Sequence, residues 1–187
     1  LDIGNHLRMF IVPLLEHLQD ENMVAGPFFL RLDLSMPDRK ERLVQTVEDD
    51  GNTRIYKNHW MNGEMTMKDG VKLTWEIDDT VRKVERNIQG MASRMDLTSK
   101  IYMDLTSNIK NVIFVDHLLK MRFFAPVDGF KVLDEDIKKT VDGKYYLIPL
   151  ELMDKSGNLE EGMDPKTFIN ALTEGYKKVK PIKTVNT

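Results

Sequence analysis

A chain of 187 residues with no cysteine has no route to a disulfide framework, a cysteine zinc site, an iron–sulfur cluster or a thiol nucleophile. Its 27 Lys and Arg against 30 Asp and Glu leave a net charge of −3, whereas a general nucleic-acid binder carries a basic surplus. Hydrophobic content of 41% beside 30% charged residues is that of a globular domain, and the longest apolar runs, Met9 to Leu15 and Val112 to Val115, fall far short of the roughly 20 residues of a membrane span.

Residues 1–25 predict an amphipathic helix. Ile3, Leu7, Phe10, Ile11, Leu14, Leu15 and Leu18 recur at three and four, one face of a helix that ends before Asn22. Pro13 removes one ladder hydrogen bond, which predicts a kink or a break into two short helices. Residues 26–78 predict an antiparallel β-meander of about five strands: Phe28–Leu34, Leu43–Val47, Arg54–Met61, Glu64–Lys68 and Val71–Ile77. Pro37-Asp38 and Asp49–Asn52 supply turns, and Asn62-Gly63 and Asp69-Gly70 are hairpin signals. In the last strand Val71, Leu73, Trp75 and Ile77 face inward while Lys72, Thr74 and Glu76 face outward. Tyr56 and Trp60 share one face of the third strand, with His59 on the other.

Residues 79–125 predict one long helical region. Val81, Val84, Ile88, Met91, Met95, Thr98, Tyr102, Leu105, Ile109 and Val112 step by three and four, behind a capping Asp78-Asp79 and with no proline between Pro37 and Pro126. A helix from about residue 80 to at least 110 is on the order of 50 Å long. Within it, Met95-Asp96-Leu97-Thr98-Ser99-Lys100-Ile101 is repeated as Met103-Asp104-Leu105-Thr106-Ser107-Asn108-Ile109, which widens the apolar arc to Leu97 and Ile101. A strand is the competing reading, because the period of eight is even. Ile113 to Phe124 then reads as a buried helix, or a helix turning into a strand, ended by Pro126.

Residues 126–187 predict strands at Phe130–Leu133 and Lys144–Leu152, the second entered through Asp142-Gly143. Asp164-Pro165 is an N-cap followed by proline in the first helical turn. Phe168, Leu172, Tyr176 and Val179 give a final helix, closed by Pro181 and followed by a basic tail. The predicted fold is therefore α+β: an antiparallel meander packed with one unusually long central helix and a smaller C-terminal α/β element, residues 26–187 forming one domain.

The common catalytic and nucleotide-binding motifs are absent. His6 and His17 would stand roughly 16 Å apart on a helix, too far to share a metal ion. Asp154-Lys155-Ser156-Gly157-Asn158 resembles the start of a calcium loop, but Leu159 and Pro165 stand where such a loop needs Gly and Glu. No cofactor or metal site is predicted. Asp116-His117 is an adjacent acid–base pair, although neighbours on a helix or strand point in different directions.

Two functions compete. The first is a structural or interaction protein, a non-catalytic subunit of a larger homo- or hetero-assembly such as a virus particle. Its predicted contact is the apolar seam at Ile88, Met91, Met95, Leu97, Ile101, Tyr102, Leu105 and Ile109, and methionines at 61, 65, 67, 91, 95 and 103 suit an adaptable surface. The second is an enzyme without a local motif, its site at Asp116-His117. Nucleic acid is expected to touch the chain only weakly, through Lys177, Lys178, Lys180 and Lys183. A chain that begins at Leu1 reads as a processed product or a fragment. An intracellular or virus-particle location is the default, and a removed signal peptide is left open.

Overall fold

The computed structural model describes residues 5–20, 24–49, 51–87, 101–102, 109–156, 159 and 162–182. These form helix α1 (Asn5–Asp20), strand β1 (Phe29–Leu32), a 3-10 turn (Lys40–Arg42), and strands β2 (Leu43–Asp49), β3 (Gly51–Thr66), β4 (Lys72–Asn87), β5 (Ile101–Tyr102), β6 (Ile109–Pro126), β7 (Phe130–Val132), β8 (Lys138–Lys139) and β9 (Tyr145–Ser156). Helix α2 (Pro165–Lys177) and strand β10 (Val179–Pro181) complete the chain. Eight strands make one antiparallel sheet in the order β1-β3-β4-β6-β9-β8, with β2 also on β3 and β5 also on β6; β10 and β7 pair separately.

The long central helix is not there. The fold is mostly antiparallel sheet with two helices, and the described parts of the stretch read as helical belong to strands β4, β5 and β6. Of the predicted seam, Ile101 and Tyr102 form β5 and Ile109 opens β6, while Ile88, Met91, Met95, Leu97 and Leu105 lie outside the described residues. The reason is the competition between two periods. Val71, Leu73, Trp75, Ile77, Asp79 and Val81 are all buried, and so are Val115, His117, Leu119, Met121, Phe123 and Ala125. Both series step strictly by two, and they face each other across β4 and β6 in register. Val81 and Val84, three apart, fall on opposite faces of β4. Pairing along the whole length of both strands outweighs a weak helical periodicity. Asp78-Asp79, read as a cap, are successive strand residues.

The meander also differs in two places: β1 pairs with β3 rather than with the next strand, β2, and one expected turn is absent. Asn62-Gly63 does not turn: it lies inside β3, paired with Glu76 and Trp75 on one side and with Arg31 and Leu30 on the other. Gly63 is glycine because the Trp75 indole packs onto it; an added Cβ would stand 2.3 Å from Trp75 Cζ2. The true hairpin is Asp69-Gly70, where Gly70 has φ +85° and the Asp69 carboxylate accepts from the Val71 amide at 3.1 Å. A bulge between His59 and Met61 shifts the β3–β4 register. Trp60 and Met61 are consequently both buried, and the alternation restarts at Met61, Gly63 and Met65.

Both helices lie on the buried face of the sheet. α1 runs through Pro13 without a break, because that residue sits on its exposed side, while Phe10, Leu14 and Leu18 face the core. Phe10 meets Trp60 edge-on at 5.7 Å, Phe168 of α2 meets Trp75 at 5.2 Å, and Tyr176 meets Phe123 at 4.9 Å. Asp164 caps α2 as its sequence implies, accepting from the Lys166 amide at 2.9 Å. Asp164→Ala is expected to cost about 1 kcal/mol in urea unfolding, with the slope unchanged. Val179 and Pro181, read as the end of the helix and its stop, form β10 instead. Among the described residues no helix is long and apolar enough to cross a membrane.

Candidate functional site

Between the large core under the helices and a small second cluster of Tyr56, Val81 and Val115, one row of polar residues crosses the buried face of the sheet. The ladder sets Asn58 opposite Asp79, Asp79 opposite His117 and His117 opposite Asp154. Asp79 is 3% exposed and His117 2%. A carboxylate so buried is tolerable only with strong partners. Asp79 Oδ1 accepts from Trp60 Nε1 at 3.0 Å and lies 2.7 Å from His117 Nδ1. The other ring nitrogen, Nε2, lies 3.1 Å from the Ser156 hydroxyl, so the imidazole bridges carboxylate and hydroxyl. Asn58 Oδ1, buried beside this chain, has no hydrogen-bond partner among the described residues.

Carboxylate, imidazole and hydroxyl in that order are the components of an activated serine nucleophile. What distinguishes this row from such a site is access. Two hollows, of about 680 and 250 Å3, are lined by other residues, among them Lys72, Phe124 and Tyr145 in the first and Phe29, Gly63 and Lys120 in the second. Neither reaches Asp79, His117 or Ser156.

Asp116 and His117 do not work as a pair. They project to opposite faces of β6, and Asp116 is bound to Arg82 Nη2 at 3.2 Å on the other side of the sheet. The acid that meets His117 is 38 residues away. A signal for it exists in the sequence: Asp79 is the one polar residue in the series Val71 to Val81, and His117 is the one in Val115 to Ala125. Trp60 and Ser156 carry no comparable signal.

On the open face, Asp78 holds a second cluster, with His59 Nδ1 at 2.7 Å and Lys120 Nζ at 2.8 Å. Burial works to raise the Asp78 pKa, but the hydrogen bonds and charges of Lys120 and His59 outweigh it and hold the carboxyl below its ordinary 3.8. A depressed folded pKa gives stability that is fully present above the unfolded value and lost as pH falls through the folded one. Asp78→Asn is therefore expected to lower stability near neutral pH while flattening its decline below about pH 4, as read by urea midpoints across that range.

The remaining predicted positions do not converge. Among the described residues no group of three or more His, Asp or Glu could hold a metal ion. The Asp154 carboxylate, first in the calcium-like segment, instead accepts from the Lys155 and Asp164 amides at 2.8 and 2.7 Å and ties the end of β9 to the start of α2. Lys177 pairs with Glu174, Lys180 is exposed on β10, and Lys183 lies outside the described residues. No family model, curated protein or solved structure matches the chain.

Proposed function

We propose that the protein is a non-catalytic building block of a larger protein assembly, joined to other subunits through its sheet. The observation that supports this is the length of the central strands. β3, β4 and β6 run for 16, 16 and 18 residues, where about 5–6 is usual. They continue past the helix-covered core to a region whose described buried cluster is only Tyr56, Val81 and Val115. Strands gain independent stability only by burying a face, and a neighbouring subunit is an economical way to cover the far end. The test is molar mass by light scattering over a concentration series. Association supports the reading; a monomer throughout overturns it for like subunits.

The Asp79–His117–Ser156 chain favours a second reading, a hydrolase that transfers an acyl group through Ser156. It requires substrate to reach a histidine that is 2% exposed. A fluorophosphonate probe separates the two. Labelling of the folded protein that disappears in Ser156→Ala supports the hydrolase; no labelling supports the building block.

A further inference from the structure

We infer that the outer edge of β9 is where a second copy of this chain adds, β9 against β9, antiparallel about a two-fold axis at Met153. The inference rests on the assembly reading and names the partner and the surface. The inner side of β9 is paired with β6 along its whole length, from Tyr145 opposite Pro126 to Ser156 opposite Val115. Its outer side is covered by β8 only at Tyr146 and Leu147. From Ile148 to Ser156 no described strand pairs with that side, which leaves a row of backbone donors and acceptors of the kind that captures another strand.

The geometry of the edge favours its own copy. Leu147 pairs outward with Lys138 of β8, so by alternation Pro149, Glu151, Met153 and Lys155 also direct their backbone outward. Pro149 has no N–H to offer, which suits an edge position. The Lys155 amide is held by Asp154 at 2.8 Å, so the new ladder is donated by the amides of Glu151 and Met153. Centred on Met153, antiparallel pairing sets Glu151 of each copy opposite Lys155 of the other and the two Met153 side chains together. All three side chains are exposed on the same face, while Ile148 and Leu150 point into the core. Met153 is 60% exposed, an apolar side chain at the centre of the contact with nothing over it among the described residues. Neither Glu151 nor Lys155 forms an ion pair within the described chain; the charge facing Glu151 across the ladder is Lys120, whose ammonium is bonded to Asp78. The strand is thus self-complementary in charge and leaves its apolar residue on the axis.

The experiment uses two charge reversals on the full chain, E151K and K155E, with masses read by light scattering and folding checked by thermal unfolding. In each single variant like charges oppose across the axis at both ends of the contact, and self-association is expected to weaken by about tenfold or more. An equal mixture of the two variants opposes unlike charges again and is expected to associate as the unmutated protein does. If the unmutated protein associates and both variants match it, or the mixture fails to recover what the single variants lose, this edge is not the contact, and the assembly reading stands without it. If the unmutated protein is a monomer at every concentration, the β9 contact and assembly from like subunits fall together.

Discussion

Asp79→Leu is expected to lower the unfolding free energy by about 2–6 kcal/mol, at about 1–3 kcal/mol for each of two buried donors left unsatisfied. The substitution strips Trp60 Nε1 and His117 Nδ1 of the same acceptor at once, and both stay buried. An unmade hydrogen bond inside the protein costs the full desolvation of the group left behind. The double variant Asp79→Leu with His117→Leu is expected to recover much of that loss. It inserts two apolar residues, facing each other in register, into rows that are otherwise apolar on both sides, Ile77 to Val81 and Val115 to Leu119. Urea unfolding of the two single variants and the double variant measures the coupling directly. Losses that simply add would contradict the view that these two residues act as a unit. The row also resists mispairing, since a one-residue slip of β4 against β6 would send Asp79 and His117 to opposite faces.

Gly63→Ala is expected to cost about 3 kcal/mol, the upper part of the range for overpacking. In an ordinary strand the same change is mildly stabilising, because glycine carries the larger entropy cost of ordering. Here the sign reverses. The new Cβ would lie 2.3 Å from Trp75 Cζ2 and 2.9 Å from the Phe29 carbonyl oxygen, and the indole is also packed edge-on against Phe168 at 5.2 Å. Trp75→Phe trims the ring that causes the clash, so the double variant should lose less than the sum of the two single losses. A Gly63→Ala protein as stable as the parent, by thermal midpoint, would show that β3 does not continue through this position.

Where local chemistry decides the structure, the residues are readable. The first helix, the Asp69-Gly70 hairpin, the Asp142-Gly143 turn with Gly143 at φ +70°, and the Asp164-Pro165 helix start all rest on a few neighbouring positions. Asn62-Gly63 has the same local chemistry as Asp69-Gly70 and a different outcome, because β1 and β4 pair on either side of it and Trp75 needs the space. The larger difference has the same origin. Val81 to Val112 carries the helical pattern, but the strict alternation lies on either side of it, in Val71 to Val81 and Val115 to Ala125, and becomes visible as sheet only through the long-range pairing of β4 with β6. The buried polar row was half legible: His117 stood out, but its acid, Asp79, is brought to it by sheet register rather than by sequence proximity. The edge of β9 follows the same logic. Glu151, Met153 and Lys155 are ordinary alternating residues until the topology leaves their strand uncovered.

The central claim is that this chain associates with copies of itself, and the stability of such a state depends on protomer concentration. Light scattering on the unmutated protein from about 1 μM to about 1 mM, a span that covers ordinary subunit affinities, tests it most directly. The expected result is a molar mass above 21.7 kDa at the upper end that falls toward that value on dilution. A single species of 21.7 kDa across the whole range would contradict it.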